Sequence, residues 1–398
     1  MRRNVYAIID GQAGSCGKGK VCAEFALEKK PELAITNNMP NAGHTCVVND
    51  KTRVFRNIPV SCINKNTDLL LGAGSIIDMD ILEEEYENNI DLLDGREIIA
   101  HPNIPIITQK HRDEEIARLR NGSTFKGGGA CLIDKIWRPA DLELFKGYKS
   151  IKVVSYEEYY KRLKEYLLKA KRILIEGSQG CDLDINHSGH YPYTTSRQVG
   201  VAQMLADSGI SPKFLKKIIM VIRPFPIRIS NETNIGININ SGHYGHSAEL
   251  NWLKVEVGSY YSIPAEIVDE DIIANYFAEM NEAYKDSEDR LEMQSKDDLE
   301  KEFPSFSEST TVTKKTRRVF TLDLAQLKRS VDINTPDSIY LNFFQHLDND
   351  FAGLRGDFEN IYPNRYLREY LNHLESEIDV PINRLGTGAE SGAYIKRW

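Results

Sequence analysis

The chain has 398 residues, 41% hydrophobic and 27% charged, with a formal net charge of −8. That is a globular composition able to bury a sizeable core, and its acidic balance argues against a nucleic-acid partner, which needs a basic footprint. Apolar runs stay below the ~18 residues of a membrane span, the N-terminus lacks a secretory hydrophobic region, and Cys16, Cys22, Cys46, Cys62, Cys131 and Cys181 show no CxxC spacing. Neither membrane attachment, zinc nor a disulfide framework is expected, and a reducing cytoplasm is the expected compartment.

In chain order, apolar runs bounded by glycine or polar residues predict strands at Val5–Ile9, Leu69–Leu71, Ile173–Ile175, Ile218–Ile222 and Ile339–Phe343. Stretches rich in Glu, Lys and Leu predict helices between them, among them Ile81–Asn88 and Tyr156–Lys171. This alternation predicts an α/β protein with a mainly parallel central sheet surrounded by helices. Such sheets hold ligands on the loops at the carboxyl ends of their strands. Residues 261–305 are acidic, polar and free of glycine. They predict a peripheral helical insertion within a single domain spanning 1–398.

Two motifs carry chemistry. The first strand runs into Asp10-Gly11-Gln12-Ala13-Gly14-Ser15-Cys16-Gly17-Lys18-Gly19-Lys20 and then a helical stretch. Glycines let backbone N–H groups converge on an anion, and a helix N-terminus adds positive potential, so this predicts a P-loop-like phosphate cradle. It is not a Walker A motif, which needs Gly at position 12 and Ser or Thr at 19. The second motif is Asn41-Ala42-Gly43-His44-Thr45. A histidine there suits a general acid donating to a phosphate oxygen near neutral pH.

Together these motifs resemble the adenylosuccinate synthetase family, which carries G-D-E-G-K-G-K after its first strand and N-A-G-H-T soon after. Further stretches follow in the family's order. They are Leu71-Gly72-Ala73-Gly74, Gly122 to Gly127 with Asp134 to Arg138, Glu176 to Gly180, Leu183 to His187, Tyr191 to Ser196, Thr311 to Arg318, and Gly386-Thr387-Gly388. This collinearity over nearly the whole chain is far more specific than any one motif.

The resemblance implies the family's α/β nucleotide-binding fold and a ligase that phosphorylates the 6-oxygen of a purine nucleotide, then displaces that phosphate with aspartate. It implies Mg²⁺ bridging phosphate oxygens, with the Gly43 carbonyl as a ligand and Ser15 at the family's metal-binding position. His44 would be the acid at the transferring phosphate and Lys18 the cation in the cradle. Gly14, Gly17, Gly19, Gly43, Thr45, Gln345, Gly386 and Gly388 would complete the triphosphate site. Ser15, Asn41, Ser123, Thr124, Gln179 and Thr195 would hold the acceptor nucleotide. Arg138 would reach the nucleotide phosphate of a partner subunit, implying a homodimer. Thr311, Val312, Thr313, Lys315 and Arg317 would grip aspartate, arginine being best suited to a carboxylate; Lys315 stands where the family usually has arginine.

Two departures from the family bear on substrate. Its catalytic Asp in G-D-E-G-K-G-K is Ser15 here. A smaller residue beside N1 makes room for a 2-amino group, pointing to a guanine nucleotide as acceptor. Where the family reads T-K-L-D and uses the Asp to bind guanine, this chain reads Asn342-Phe343-Phe344-Gln345. A carboxamide donates and accepts at once, which matches adenine and implies ATP or dATP as phosphate donor. Phe343 or Phe344 could stack on the base, the alternative being a buried strand residue. Both departures resemble a bacteriophage branch of the family that uses dGMP, L-aspartate and ATP to begin 2-aminoadenine synthesis, placing the protein in the cytoplasm of an infected host. An ordinary IMP- and GTP-dependent synthetase and a non-catalytic nucleotide-binding paralogue are the other readings.

Overall fold

A computed structural model describes residues 3–118, 125–234, 237–239, 241–250, 252, 255, 308, 316–361 and 365–397. The expected insertion at 261–305 lies outside them.

The apolar runs become a central sheet because they are buried on both faces. Its strands are β1 (Val5–Asp10), β2 (Leu33–Thr36), β5 (Asp68–Leu71), β6 (Ile98–Ala100), β7 (Ile151–Val153), β8 (Ile173–Glu176), β9 (Leu215–Ile222), β15 (Ser338–Leu341), β16 (Gly356–Asp357), β17 (Ile382–Gly386) and β18 (Tyr394–Lys396). The 11 strands lie in the order β16-β18-β17-β15-β9-β1-β8-β2-β5-β6-β7. All neighbours pair parallel except β17 with β18. Alternation assigns the faces: Val5, Ala7 and Ile9 join one core with Ile173, Ile175, Leu33 and Ile35, while Ile8, Leu174 and Ala34 join the other.

Three smaller sheets lie outside the central one. β3 (His44–Val48) and β4 (Lys51–Phe55) form a hairpin; β10 (Ile227–Arg228), β13 (Glu249–Leu250) and β14 (Arg318–Phe320) form a three-stranded sheet; β11 (Glu232–Asn234) pairs with β12 (Ile237–Ile239). Helices are α1 (Lys18–Lys29), α2 (Met79–Asn88), α3 (Ile90–Leu93), α4 (Gln109–Arg118), α5 (Gly128–Trp137), α6 (Tyr156–Leu168), α7 (Val201–Ser208), α8 (Leu324–Asn334) and α9 (Arg365–Ile378). Helix α6 starts where the Ser155 hydroxyl accepts from Glu158 N at 3.2 Å, with two glutamates in its first turn. It ends at Leu168, short of the expected Lys171. None of the described helices is long and apolar enough to cross a membrane.

One strand expectation needs correction. β15 stops at Leu341, and Phe343 adopts φ of +59° in a turn rather than extending the strand. The sheet's organisation locates the site: β1 lies between β8 and β9, where the chain crosses from one half of the sheet to the other. Crevices at such points in parallel sheets receive ligands.

Candidate active site

The loop after β1 is built around a buried carboxylate. Asp10 is 1% exposed and accepts from Gln12 N at 3.0 Å, Gly14 N at 3.3 Å, Cys16 N at 3.1 Å and Lys18 Nζ at 3.2 Å. The loop thus folds its amides onto an internal anion. Lys18 also donates to the Gln179 carbonyl at 2.8 Å, tying this loop to the one after β8. Gly14, Ser15 and Gly17 have φ of +90°, +57° and +85°, so the turn draws on two glycines and strains one serine. A side chain at Gly17 or at Gly386 would overlap the Asn342 amide. That amide donates to the Cys16 carbonyl at 3.1 Å and accepts from Lys20 at 3.4 Å. Asn342 is therefore a wedge joining the loops after β1, β15 and β17.

Helix α1 begins at Lys18 against β3. A Cβ on Gly19 would meet the Thr45 backbone at 2.5 Å, so glycine permits this close approach. The approach brings His44 beside Lys18. The His44 ring is 4% exposed, and neither nitrogen has a hydrogen-bond partner among the described residues. Burial, then the Lys18 ammonium, lowers its pKa to about 3, so the ring is neutral at pH 7. An incoming polyanion would act in the opposite direction.

A cavity of about 610 Å³ opens beside this loop. Ala13, Asn41, Gln179 and Thr195 line it, with Tyr191 to Ser196, Gly128 to Ala130 at the start of α5, Glu115 and Arg228. Three of the expected acceptor residues thus share one wall. The Thr195 hydroxyl and the Asn41 side-chain oxygen are buried without partners among the described residues, as polar groups aimed at a ligand would be. Glu115 accepts from Gly127 N at 2.8 Å and Gly129 N at 2.6 Å, occupying amides at the start of α5. Arg228 donates to the Tyr193 carbonyl at 3.0 Å and also lines the cavity.

Other expected residues sit around this centre. Ser15 is exposed on the adjoining loop and does not line the cavity. The Gln345 carbonyl oxygen is buried and unpartnered. Gly388 and Gly43 lie on neighbouring loops. Arg138 is exposed at the end of α5 next to Ile136 and Trp137, which are 65% and 78% exposed. Arg317 donates to Glu308 at 2.9 Å. Ser123, Thr124, Thr311, Val312, Thr313 and Lys315 lie outside the described residues.

Sequence reasoning missed Asp10, Asn342 as a wedge, Glu115, Arg223, Arg228 and Glu308. The signal for Arg223 and Arg228 was their place just after β9, at the same sheet end as the glycine loops.

The donor set suits Mg²⁺ only in company. Ser15 and Gly43 offer a hydroxyl and a carbonyl, both hard oxygens, but Asp10 is already occupied. Among the described residues no three acidic, His or Cys side chains converge. Mg²⁺ keeps phosphate and water ligands when bound, so this site fits an ion brought by the triphosphate.

The adenylosuccinate synthetase family model matches residues 7–144 and 142–352. The chain is 30% identical to the N6-succino-2-amino-2'-deoxyadenylate synthase of Salmonella phage PMBT28, over 86% of each chain. It is 26% identical to the adenylosuccinate synthetase of Pyrococcus horikoshii, over 98% of this chain and 97% of that one. Among solved structures, the succinoaminodeoxyadenylate synthetase (PurZ) of cyanophage S-2L, bound to dGMP and dATP as an energy donor, superposes with a TM-score of 0.73 at 27% identity. It covers 100% of this chain and 96% of that one. With the collinear motifs and the loops gathered at the β1 switch point, these matches show that the chain belongs to the adenylosuccinate synthetase family.

Proposed function

We propose that this carbon–nitrogen ligase joins L-aspartate to C6 of dGMP with ATP or dATP as phosphate donor, giving N6-succino-2-amino-2'-deoxyadenylate. The observation that carries the reading is Ser15, a short side chain without a carboxylate, on the loop whose Ala13 borders the cavity. On this reading the purine sits with its 2-amino group toward that loop, where the longer aspartate would crowd it. The relatives named as making this product, and the S-2L enzyme holding dGMP and dATP, support the same assignment.

In this reading the purine gives up its N1 proton as its 6-oxygen attacks the γ-phosphorus, and the bond to the donor's β-phosphate oxygen breaks, releasing the nucleoside diphosphate. The aspartate amine then adds at C6 and inorganic phosphate leaves. A carbonyl oxygen is a poor leaving group, and phosphorylation makes it a good one. Catalysis rests on positioning and on stabilising charge at the transferred group. His44 meets the transferring phosphate, where the one N–H of its neutral ring can donate to a phosphate oxygen. Lys18 and the amides of Gly17 and Gly19 receive the donor phosphates, with Gly14, Gly43, Thr45, Gly386 and Gly388 shaping their surroundings. Asn41, Gln179 and Thr195 hold the acceptor. Gln345 presents its carboxamide to the adenine edge, and Arg317 pairs with an aspartate carboxylate. Gly43 and Ser15 would offer oxygens to a Mg²⁺ ion arriving with the triphosphate, which would neutralise phosphate charge. The exposed Ile136 and Trp137 beside Arg138 suit a homodimer in which Arg138 crosses to the other subunit's nucleotide.

The test is phosphate release and product mass with Mg²⁺, ATP and aspartate. Turnover with dGMP and not IMP is expected. Turnover with IMP alone would contradict the assignment, and nucleotide binding without turnover on either would mark a non-catalytic paralogue.

A further inference from the structure

Arg223 follows β9 directly and is fully buried, at 0% exposed. Its backbone N–H donates to the Gln12 side chain at 2.9 Å, and its carbonyl accepts from the same amide at 2.9 Å. Its guanidinium donates to the Ser15 carbonyl at 3.2 Å and to Glu308 Oε2 at 3.0 Å, while its second terminal nitrogen donates to Glu308 Oε1. The guanidinium carbon also lies 4.2 Å from the Phe343 ring centroid. One side chain thus touches the loop after β1, the turn after β15 and the segment leading to Arg317.

The chain of contacts continues. Glu308 Oε2 also accepts from Arg317 Nη1 at 2.9 Å, and the Arg317 carbonyl accepts from Trp252 Nε1 at 2.7 Å. Burial pushes the Glu308 carboxyl up, and Arg223 foremost pulls it down further, to about 2. The carboxylate is therefore ionised at neutral pH. Burial chiefly lowers neighbouring His346 to about 4, leaving it uncharged. Among the described residues two guanidinium charges face one carboxylate, so these three side chains carry a net charge of +1. A buried, incompletely neutralised cation pair costs stability relative to an apolar core. An anionic ligand placed against Arg317 would complete its neutralisation.

We propose that Arg223 and Glu308 are positioning residues that orient Arg317 for the amino-acid carboxylate and lock it to the Ser15 loop. This rests on the reading of Arg317 as the aspartate-binding arginine. A guanidinium is planar, so fixing one terminal nitrogen sets the plane in which its other donors lie. Glu308 fixes Arg317, Arg223 fixes Glu308, and the Ser15 carbonyl and Phe343 ring fix Arg223. The acceptor-facing loop and the aspartate-facing arginine are thereby one connected unit.

The test measures KM for aspartate, KM for dGMP and kcat in Glu308→Gln and Arg223→Lys, with Arg317→Lys as reference. Loss of one charged hydrogen-bond partner should raise aspartate KM by about 10- to 100-fold, while dGMP KM stays within about twofold in Glu308→Gln, whose side chain does not touch the Ser15 loop. The combined Arg223→Lys/Glu308→Gln variant should cost little more than the worse single change, because the two act as a unit. A dGMP-induced thermal shift reports that each variant is folded. Unchanged aspartate KM in a folded Glu308→Gln protein, alongside a raised value in Arg317→Lys, would overturn the positioning role and leave the Arg317 reading standing. An unchanged aspartate KM in Arg317→Lys would instead overturn that reading. Loss of the dGMP shift in both Glu308→Gln and Arg223→Lys would mark the pair as fold support only and overturn the proposal.

Discussion

The loop after β1 and the cavity beside it are built on opposite principles. In the loop, Asp10, Lys18, Lys20 and Asn342 each have an internal partner. In the cavity, the Thr195 hydroxyl and the Asn41 side-chain oxygen have none. The loop is therefore set before any ligand arrives, which suits catalysis that depends on fixed donors around a moving phosphoryl group. The cavity wall is completed only by what it binds, which suits selection of a substrate. Changes in the loop should first alter stability, and changes in the wall should first alter affinity.

His44 is the exception that sharpens the contrast, since it is an unpartnered polar side chain within the satisfied region. His44→Ala removes no internal hydrogen bond, so the fold should survive while kcat falls by roughly 10²- to 10⁴-fold, the range of a general acid. Near-normal kcat would remove His44 from the chemistry. Asp10→Ala should do the reverse. It removes the carboxylate partner of a buried ammonium and of three amides, and should lower unfolding free energy by about 3–5 kcal/mol. Denaturant titration measures this, and a loss well under 1 kcal/mol would break the account of the loop. Gly17→Ala combines an unfavourable φ with overlap on Asn342, for a loss of about 2 kcal/mol or more. Adding Asn342→Ser should recover part of that loss. In the wall, Thr195→Val removes a hydroxyl with no internal partner. Stability should hold while acceptor KM rises about 3- to 10-fold, the value of one hydrogen bond. A stability loss with unchanged KM would show that the wall is no different from the loop.

What the sequence disclosed follows the same division. The first strand, its glycine loop and His44 were legible because a turn through positive φ and a phosphate-facing amide both demand glycine at fixed spacing. Strands buried on both faces announced themselves as unbroken apolar runs. Asp10 was not legible: an acid at a strand end reads as turn chemistry, and only the fold shows three amides turned onto it. Asn342 and Phe343 stood out as departures from the family pattern. The wedge between two glycines and the stack on Arg223 depend on separate segments that only the fold brings together. Glu308 is invisible for the same reason, its two arginines being a local neighbour and one 85 positions away.

The central claim is that Ser15 makes room for a 2-amino group. The direct measurement is the ratio of kcat/KM on dGMP to kcat/KM on IMP, in the native protein and in Ser15→Asp. The account predicts a ratio well above one that falls by about tenfold or more in the variant, as pocket sterics allow. A ratio unchanged or raised by the aspartate would contradict it.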